Sequence, residues 1–294
     1  MSEEERYARK PEIDREKLKE VLLGGVRGEN IRWGMKLREA VEVREGRLDL
    51  HFVGGEVVGG FDLVIGADGA WSKVRNLLTV KKPFYSGISS VEFWAEDADA
   101  KHPFVSEFVG KGSMFSFGEG RAIQSQRLGS SIIRTYGSLR KPESFIKDCG
   151  IDWTKPDAAR KEFVERYFGD CGTDLHRLML ESNDVLVPRT LYMLPVGLRW
   201  EGRKGVTLLG DAAHLMTPFG GVGVNAAMCD ALDLARGIVG LVEGRVSGLD
   251  VVVQEYEATI FPRGEKFAQK TMRGLKGHFS EGGNEHFVQR LREE

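Results

Sequence analysis

The sequence predicts an α/β fold in which a mostly antiparallel β-sheet is inserted into a strand–turn–helix framework. Three observations predict it. Two short apolar runs, Phe61–Ile65 and Val206–Leu209, lack polar alternation, as strands covered on both faces do, and each enters a turn rich in Gly and Asp. Between them, residues 84–138 hold several β-like runs separated by turn signals. From about Asn225 onward, helical periodicity dominates. The order is β-meander, βα unit, sheet, helices, βα unit, helices, which interleaves two layers instead of stringing two domains in series.

Each element has a local justification. Ile13, Leu18, Val21 and Leu22 share one face of a helix over 12–23, with Gly24-Gly25 as its stop. Residues 47–53 alternate, Leu48, Leu50 and Phe52 against Asp49 and His51, and Gly54-Gly55 turns the chain into a return strand at 56–58. The run 61–65 leads into Gly66-Ala67-Asp68-Gly69, then a helix from Ser72 to Leu78 with Ser72 as N-cap. Strands are expected at 88–94, 113–117, 122–128 and 131–136, helices over 142–182, and a further strand over 184–194. The strand 206–209 runs into Gly210-Asp211. After a Gly-rich turn at 220–223, a helix extends from about Asn225 to Val242, and more helix fills 250–292.

Composition excludes several classes. The chain has 294 residues, room for two domains of about 150 residues each. Apolar residues make up 41% and charged residues 29%, a globular balance able to bury a core. Lys plus Arg is 42 and Asp plus Glu is 44, a net charge of −2, and no basic stretch is interleaved with aromatics. Nucleic-acid binding is therefore set aside. Three scattered cysteines, Cys149, Cys171 and Cys229, form no CxxC pair, and no HExxH occurs, so neither a disulfide framework nor a metal site is expected. The polar, acidic start is unlike a secretory signal and no apolar run reaches 18 residues. A cytoplasmic setting without a membrane segment is the expectation.

The chemistry should sit beyond the carboxyl ends of the two buried strands, where ligands bind in open α/β sheets. Glycines there admit a ligand close to the backbone. Helix starts supply unpaired N–H groups and partial positive charge. Asp68 and Asp211 stand in these turns, either accepting hydrogen bonds from ligand hydroxyls or closing Asx-turns. Gly221-Val222-Gly223-Val224-Asn225-Ala226 matches the pattern G-x-G-x-x-A, but its nearest strand ends about ten residues upstream and Pro218 intervenes. It is not a Rossmann first turn. Its glycines suit a flat ring lying against the backbone.

Three segments carry a family resemblance. LVIGADGAWSKVR (63–75) resembles the DG motif of class A flavin monooxygenases, and LLGDAAHLMTPFGGVGVN (208–225) resembles their GD motif. PEIDREKLKEVLL (11–23), followed by Trp33-Gly34, is similar to the segment that places an arginine over the flavin. The similarity extends to tetracycline-inactivating and fungal salicylate-hydroxylase-like members. It implies an FAD/NAD(P)-binding fold of the p-hydroxybenzoate hydroxylase type with an interleaved, mostly antiparallel β-sheet substrate domain. The implied division is 1–83 plus 195–245 for FAD, 84–194 for substrate, and 246–294 for C-terminal helices. The implied activity uses FAD, NADPH and O₂ to hydroxylate an aromatic or polyketide-like small molecule.

By the same resemblance, Arg15 contacts FAD, and Asp211 holds its ribityl or ribose-phosphate part, with Gly210 allowing the approach. Pro218 lines the isoalloxazine edge, while Gly220, Gly221, Gly223, Val224 and Asn225 wrap the pyrimidine end. Asp68, Gly69 and Arg75 belong to a region linked to both FAD and NADPH. One departure is large. Family members begin with a strand, a G-x-G-x-x-G turn and a helix that bind the ADP half of FAD, and the resemblance here starts at Pro11. The expectation is an N-terminally truncated fold. The alternative function is an inactive flavoprotein fragment unable to hold FAD alone.

On the substrate side, Gln124, Gln126, Arg127 and Arg134 lie in strand-like runs and face either a pocket or solvent. Phe115, Phe117, Met193 and Phe219 are candidates for an apolar wall or for plain core, and Met216 and Phe219 flank the flavin turn. His214 is expected to serve as a structural hydrogen-bonding residue, and no catalytic side chain is named. Without G-x-S-x-G, a hydrolase is excluded, and without W-x-W-x-I, a halogenase finds no support.

Overall fold

The computed structural model describes residues 13–293. The acidic start and Pro11-Glu12 lie outside them. Helix α1 (Arg15–Gly24) follows extended Asp14 and carries Glu16 in its first turn, at the positive end of the helix dipole. No residue of α1 is buried. Strands β2 (Arg47–Phe52) and β3 (Val57–Val58) form the expected hairpin, and β1 (Leu37–Arg44), which the sequence reading did not place, pairs antiparallel with β2 to complete a meander. Strand β4 (Val64–Gly66) follows.

The helix expected from Ser72 to Leu78 is instead a single 3-10 turn, Val74–Leu77. Asp68 Oδ2 accepts the amides of Lys73 (2.7 Å) and Val74 (3.4 Å), and Ser72 Oγ accepts that of Arg75 (2.9 Å). Side chains thus satisfy three successive N–H groups locally, and the turn closes without propagating.

Strand β5 (Phe84–Ala95) is the longest strand of a five-stranded antiparallel sheet. After it come α2 (Ala98–Lys101), α3 (Pro103–Val109), β6 (Ser113–Gly118), β7 (Arg121–Arg127) and β8 (Ile133–Arg140). Helices α4 (Phe145–Asp148), α5 (Pro156–Phe168) and α6 (Thr173–Glu181) precede β9 (Val185–Met193), and the sheet order is β6-β7-β8-β5-β9. Strand β10 (Val206–Leu208) pairs parallel with β4, Val206 opposite Val64. Among the described residues this parallel sheet has two strands, and Ile65 of β4 stays exposed. Helices α7 (Asp211–His214), α8 (Gly223–Val242), α9 (Leu249–His278) and α10 (Gly283–Glu293) complete the chain.

Period-two alternation gives the large sheet two different faces. Val91, Phe93, Ala95, Ile123, Ile133 and Leu139 point into a core shared with Phe163, Phe168, Leu178 and Met179 of α5 and α6. The register puts Ser90, Glu92 and Trp94 of β5, Ser138, Tyr136 and Arg134 of β8, and Ala122, Gln124 and Gln126 of β7 on the other face. A second core joins Leu48, Val64, Val74, Val206, Leu208 and Ala212 to Leu234, Val252, Tyr256 and Ile260, so α8 and α9 pack on the two-stranded parallel sheet. A third small core, Ile88, Phe117, Ala122, Phe219, Leu275 and Phe279, joins the second face of the large sheet to α9.

Candidate functional site

The two Gly/Asp turns come together at the carboxyl ends of β4 and β10. Arg75 braces them. It is buried, and its guanidinium donates to the carbonyls of Ala70 (Nη2, 2.6 Å) and Ala212 (Nη1, 3.0 Å). Burial lowers its pKa, and the Asp68 carboxylate partly offsets that shift. Both Asp68 and Arg75 thus serve the turn itself, Asp68 as a cap and Arg75 as a strut. Gly69, at φ +77°, supplies the left-handed residue between them.

At the second turn, Gly210 has φ +59° and ψ −140°, and a Cβ there would lie 3.2 Å from Ala227. Only glycine combines that backbone with that approach. Its carbonyl accepts the amides of Ala213 and His214, both at 2.9 Å. Asp211 is thereby left at the first position of α7, exposed and with no hydrogen bond or ion pair among the described residues.

The turn expected to wrap a flavin follows. Exposed Pro218 opens a 3-10 turn through Gly220, and Gly221 is left-handed at φ +63°. Helix α8 then starts at Gly223, and its first intrahelical bond among these residues is Ala226 N–H to the Val222 carbonyl at 2.9 Å. The amides of Gly223, Val224 and Asn225 are therefore the unpartnered donors of the helix start. Val224 lines an open cleft of about 360 Å³ with Arg15, Leu18, Lys19, Leu22, Leu23 and Val26. The structure thus brings Arg15, predicted over the flavin, against the turn predicted to wrap it.

Helix α9 backs this turn. Gly274 faces the Phe219 carbonyl and Gly220 faces Thr271, and a Cβ at either glycine would collide. Phe219 is buried, edge-on to Phe279 (5.2 Å) and His278 (5.9 Å), so it belongs to the third core, while Met216 stays half-buried. His278 in turn stacks on Phe117 of β6 at 4.2 Å and lies 3.5 Å from Gln124 Nε2. The turn and the second face of the large sheet therefore meet at the third core, where His278 touches both Phe117 and Phe219.

That face is graded. Its end beside α9 is apolar, with Ile88, Ala122 and Phe117. Its far end is polar and aromatic. Arg134 Cζ sits 3.8 Å over the Trp94 ring, and Arg134 Nε is buried with no hydrogen-bond partner among the described residues. Trp94 Nε1 donates to Glu92 Oε2 at 3.3 Å, and Glu92 also pairs with Arg189. Burial raises the Tyr136 hydroxyl pKa, Glu92 adds to this, and Arg134 opposes it. Gln124 is half-buried and Gln126 exposed on the same face. Arg127 corrects the expectation that placed it with them. It lies on the opposite face and clamps the carbonyls of Gly110 (2.6 Å) and Ser106 (2.9 Å) and the Asp99 carboxylate (2.9 Å). The odd–even alternation of a strand separates 127 from 124 and 126. Phe115 and Phe117 share the site-side face of β6, and Met193 is fully buried.

Sequence reasoning passed over Glu92, Trp94, Tyr136, His278 and Asp230. Asp230 carried a signal: it shares the buried stripe of α8 with Ala226 and Leu234, at spacings of four. His214 donates no chemistry to the cleft. It is buried against Asp230, the structural role expected of it.

These features fit the flavin half of a dinucleotide. They comprise a glycine cradle that a side chain would fill, an exposed carboxylate at a helix start, unpartnered amides at a second helix start, and a cleft walled by a cation. An FAD-dependent monooxygenase of class A needs such features, and the family and relatives of this chain are of that class. The chain belongs to the FAD binding domain family, which it matches over residues 61–271. It is 28% identical over 320 residues to the monooxygenase penA of Penicillium thymicola, covering 94% of this chain and 74% of penA. Among solved structures, Klebsiella pneumoniae HpxO complexed with FAD and uric acid superposes with a TM-score of 0.74 at 22% identity, over 96% of this chain and 68% of that one. A salicylate hydroxylase substrate complex superposes at 0.64 and 17% identity, over 90% and 65%. These likenesses establish the p-hydroxybenzoate hydroxylase type of fold. Among the described residues no cluster of His, Cys, Asp or Glu is placed to hold a metal, and no helix is long and apolar enough to cross a membrane.

Proposed function

We propose that the chain hydroxylates an aromatic or polyketide-like small molecule with O₂, using NADPH to reduce FAD. FAD supplies the redox chemistry when bound; the protein binds, orients and excludes water. The observation that carries this is the graded face of the large sheet, which meets the flavin turn at the third core, beside His278. Its apolar end suits a ring, and its Gln124, Gln126, Arg134 and Tyr136 offer hydrogen bonds to ring oxygens. Asp211 holds ribityl or ribose hydroxyls, Arg15 covers the flavin, and Pro218, Gly220, Gly221, Gly223, Val224 and Asn225 frame its edge. The first-turn amides of α8 would stabilise negative charge on a flavin bound there, as preorganised donors. Asp68, Gly69 and Arg75 shape the neighbouring wall where the dinucleotides approach.

The test is a visible spectrum after incubation with excess FAD and desalting, then NADPH oxidation with a panel of phenols. Retained flavin bands, substrate-stimulated oxidation and a product heavier by one oxygen are expected. Stimulated oxidation that yields only hydrogen peroxide across a broad panel overturns hydroxylation. A chain that retains no flavin favours the second reading, an inactive fragment, which the exposed Ile65 of the two-stranded parallel sheet supports.

A further inference from the structure

We infer that Asp230, through Gly210 and His214, is a positioning residue for the cofactor carboxylate Asp211; the inference rests on the FAD reading above. Asp230 is fully buried in the middle of α8. Its Oδ2 accepts the Gly210 amide at 3.0 Å and contacts His214 Nε2 at 2.5 Å. The same oxygen therefore grips the residue before Asp211 and the last residue of α7. The Gly210 carbonyl closes the loop by accepting the His214 amide at 2.9 Å. Asp211 lies inside that ring of contacts, so its backbone is fixed while its exposed carboxylate contributes nothing to the ring.

The charge on Asp230 is balanced from α9. Arg263 Nη1 lies 3.6 Å from Asp230 Oδ1, and its other nitrogen pairs with Asp233. The groups facing Asp230 are thus His214, Arg263 and Asp233, with the Tyr256 hydroxyl donating nearby to the Leu208 carbonyl at 2.8 Å. Burying a carboxylate is costly unless it is paired and hydrogen-bonded. A core needing only stability would fill this position with an apolar side chain, as the same stripe does at Ala226 and Leu234. Here the buried charge holds a glycine of positive φ beside the candidate cofactor ligand. Asp230 Oδ1 and His214 Nδ1 keep no hydrogen-bond partner among the described residues, so the network is built around the single shared oxygen.

The experiment is a double-mutant cycle read as FAD affinity, by quenching of flavin fluorescence on titration, with urea unfolding of each apo-protein as control. Asp230→Asn is expected to weaken FAD binding at least tenfold. Asp211→Ala is expected to weaken it as much or more. The double variant Asp211→Ala/Asp230→Asn should bind within threefold of Asp211→Ala, because Asp230 acts through Asp211. Multiplying effects with an unchanged Asp211 contribution overturn the inference, as does an Asp230→Asn protein that binds like the parent. Should Asp230→Asn fail to fold, His214→Gln and His214→Ala carry the same test. Gln keeps a donor for Asp230 and is expected within threefold of the parent, while Ala loses tenfold; equal behaviour of the two refutes the wiring. A parent protein that binds no FAD at all instead removes the FAD reading, a distinct outcome.

Discussion

Asp211 and Glu257 are carboxylates with opposite surroundings, and each makes a prediction of its own. Asp211 is exposed and spends no hydrogen bond within the protein, so replacing it costs the fold little and the cofactor much. Asp211→Ala should unfold within about 0.5 kcal/mol of the parent yet lose bound flavin on desalting; unchanged FAD content would sink its assignment. Glu257 is buried, with Oε1 accepting from Trp200 Nε1 and Thr207 Oγ1, each at 2.8 Å. Burial raises its pKa, and those two donors only partly counter the shift. The folded state therefore holds this proton to higher pH than the unfolded chain does. Stability contributed at this site falls as pH climbs from the unfolded value, 4.5, through the raised one, and stays lower above it. Glu257→Gln keeps an acceptor for both donors without the charge. It should denature at higher urea than the parent at pH 8, with the gap narrowing towards pH 4.5. A gap that widens on acidification would contradict the sign. At Arg134 the stacked, partly unsatisfied guanidinium predicts a KM effect. Arg134→Ala should raise the substrate KM tenfold or more, with kcat changed less, a pattern steady-state kinetics separates from lost chemistry.

At the scale of elements, α9 matters most to the site although its sequence advertises little. Its Gly274 lies directly against the Phe219 carbonyl, whereas Gly277, one turn later, has nothing within 4 Å of its Cβ direction. Helix propensity favours alanine at both positions. The structure predicts opposite outcomes: Gly277→Ala neutral or stabilising, Gly274→Ala destabilising by about 1–3 kcal/mol through overpacking and weaker in FAD binding. Thermal melts of the two variants decide it. How far the sequence disclosed these elements follows from the range of the interactions. Helix α8 and the strands 47–52 and 206–208 announce themselves by local period and turn chemistry, and so do both Gly/Asp turns. The segment after Ser72 does not: the Asp68 and Ser72 side chains that satisfy its first amides would equally cap a full helix, so local pattern does not separate a helix from the single turn formed. The polar face of the large sheet was half legible. Alternation groups Gln124 with Gln126, but only strand register adds Glu92, Trp94 and Tyr136 to them. His278 joins that face from the far end of α9, by tertiary packing alone.

Across the whole molecule, the apolar surface is unevenly covered. On α8, Leu232, Val239 and Val242 lie exposed, with Val242 82% accessible, and Ile65 and Trp71 are exposed near the site. Contiguous apolar surface of this kind promotes association. Leu232→Lys/Val239→Lys should lower the concentration-dependent association of the protein in sedimentation velocity while leaving its unfolding midpoint nearly unchanged; identical profiles for parent and variant would show that this stripe is inert. The division into cores has a temporal side as well. The antiparallel sheet closes once β9 is made, from partners β5 to β9 and the helices between them. The cofactor turns cannot. Arg75 waits for an acceptor 137 residues further along the chain, and among the described residues β4 has no partner before β10. At about 5–20 residues per second, the ribosome imposes a delay on the order of ten seconds between making one half of this junction and the other. The backing of the flavin turn comes later still, with Thr271 and Gly274. The junction behind the candidate cofactor turn is thus completed only after every described strand and most of α9 have been made.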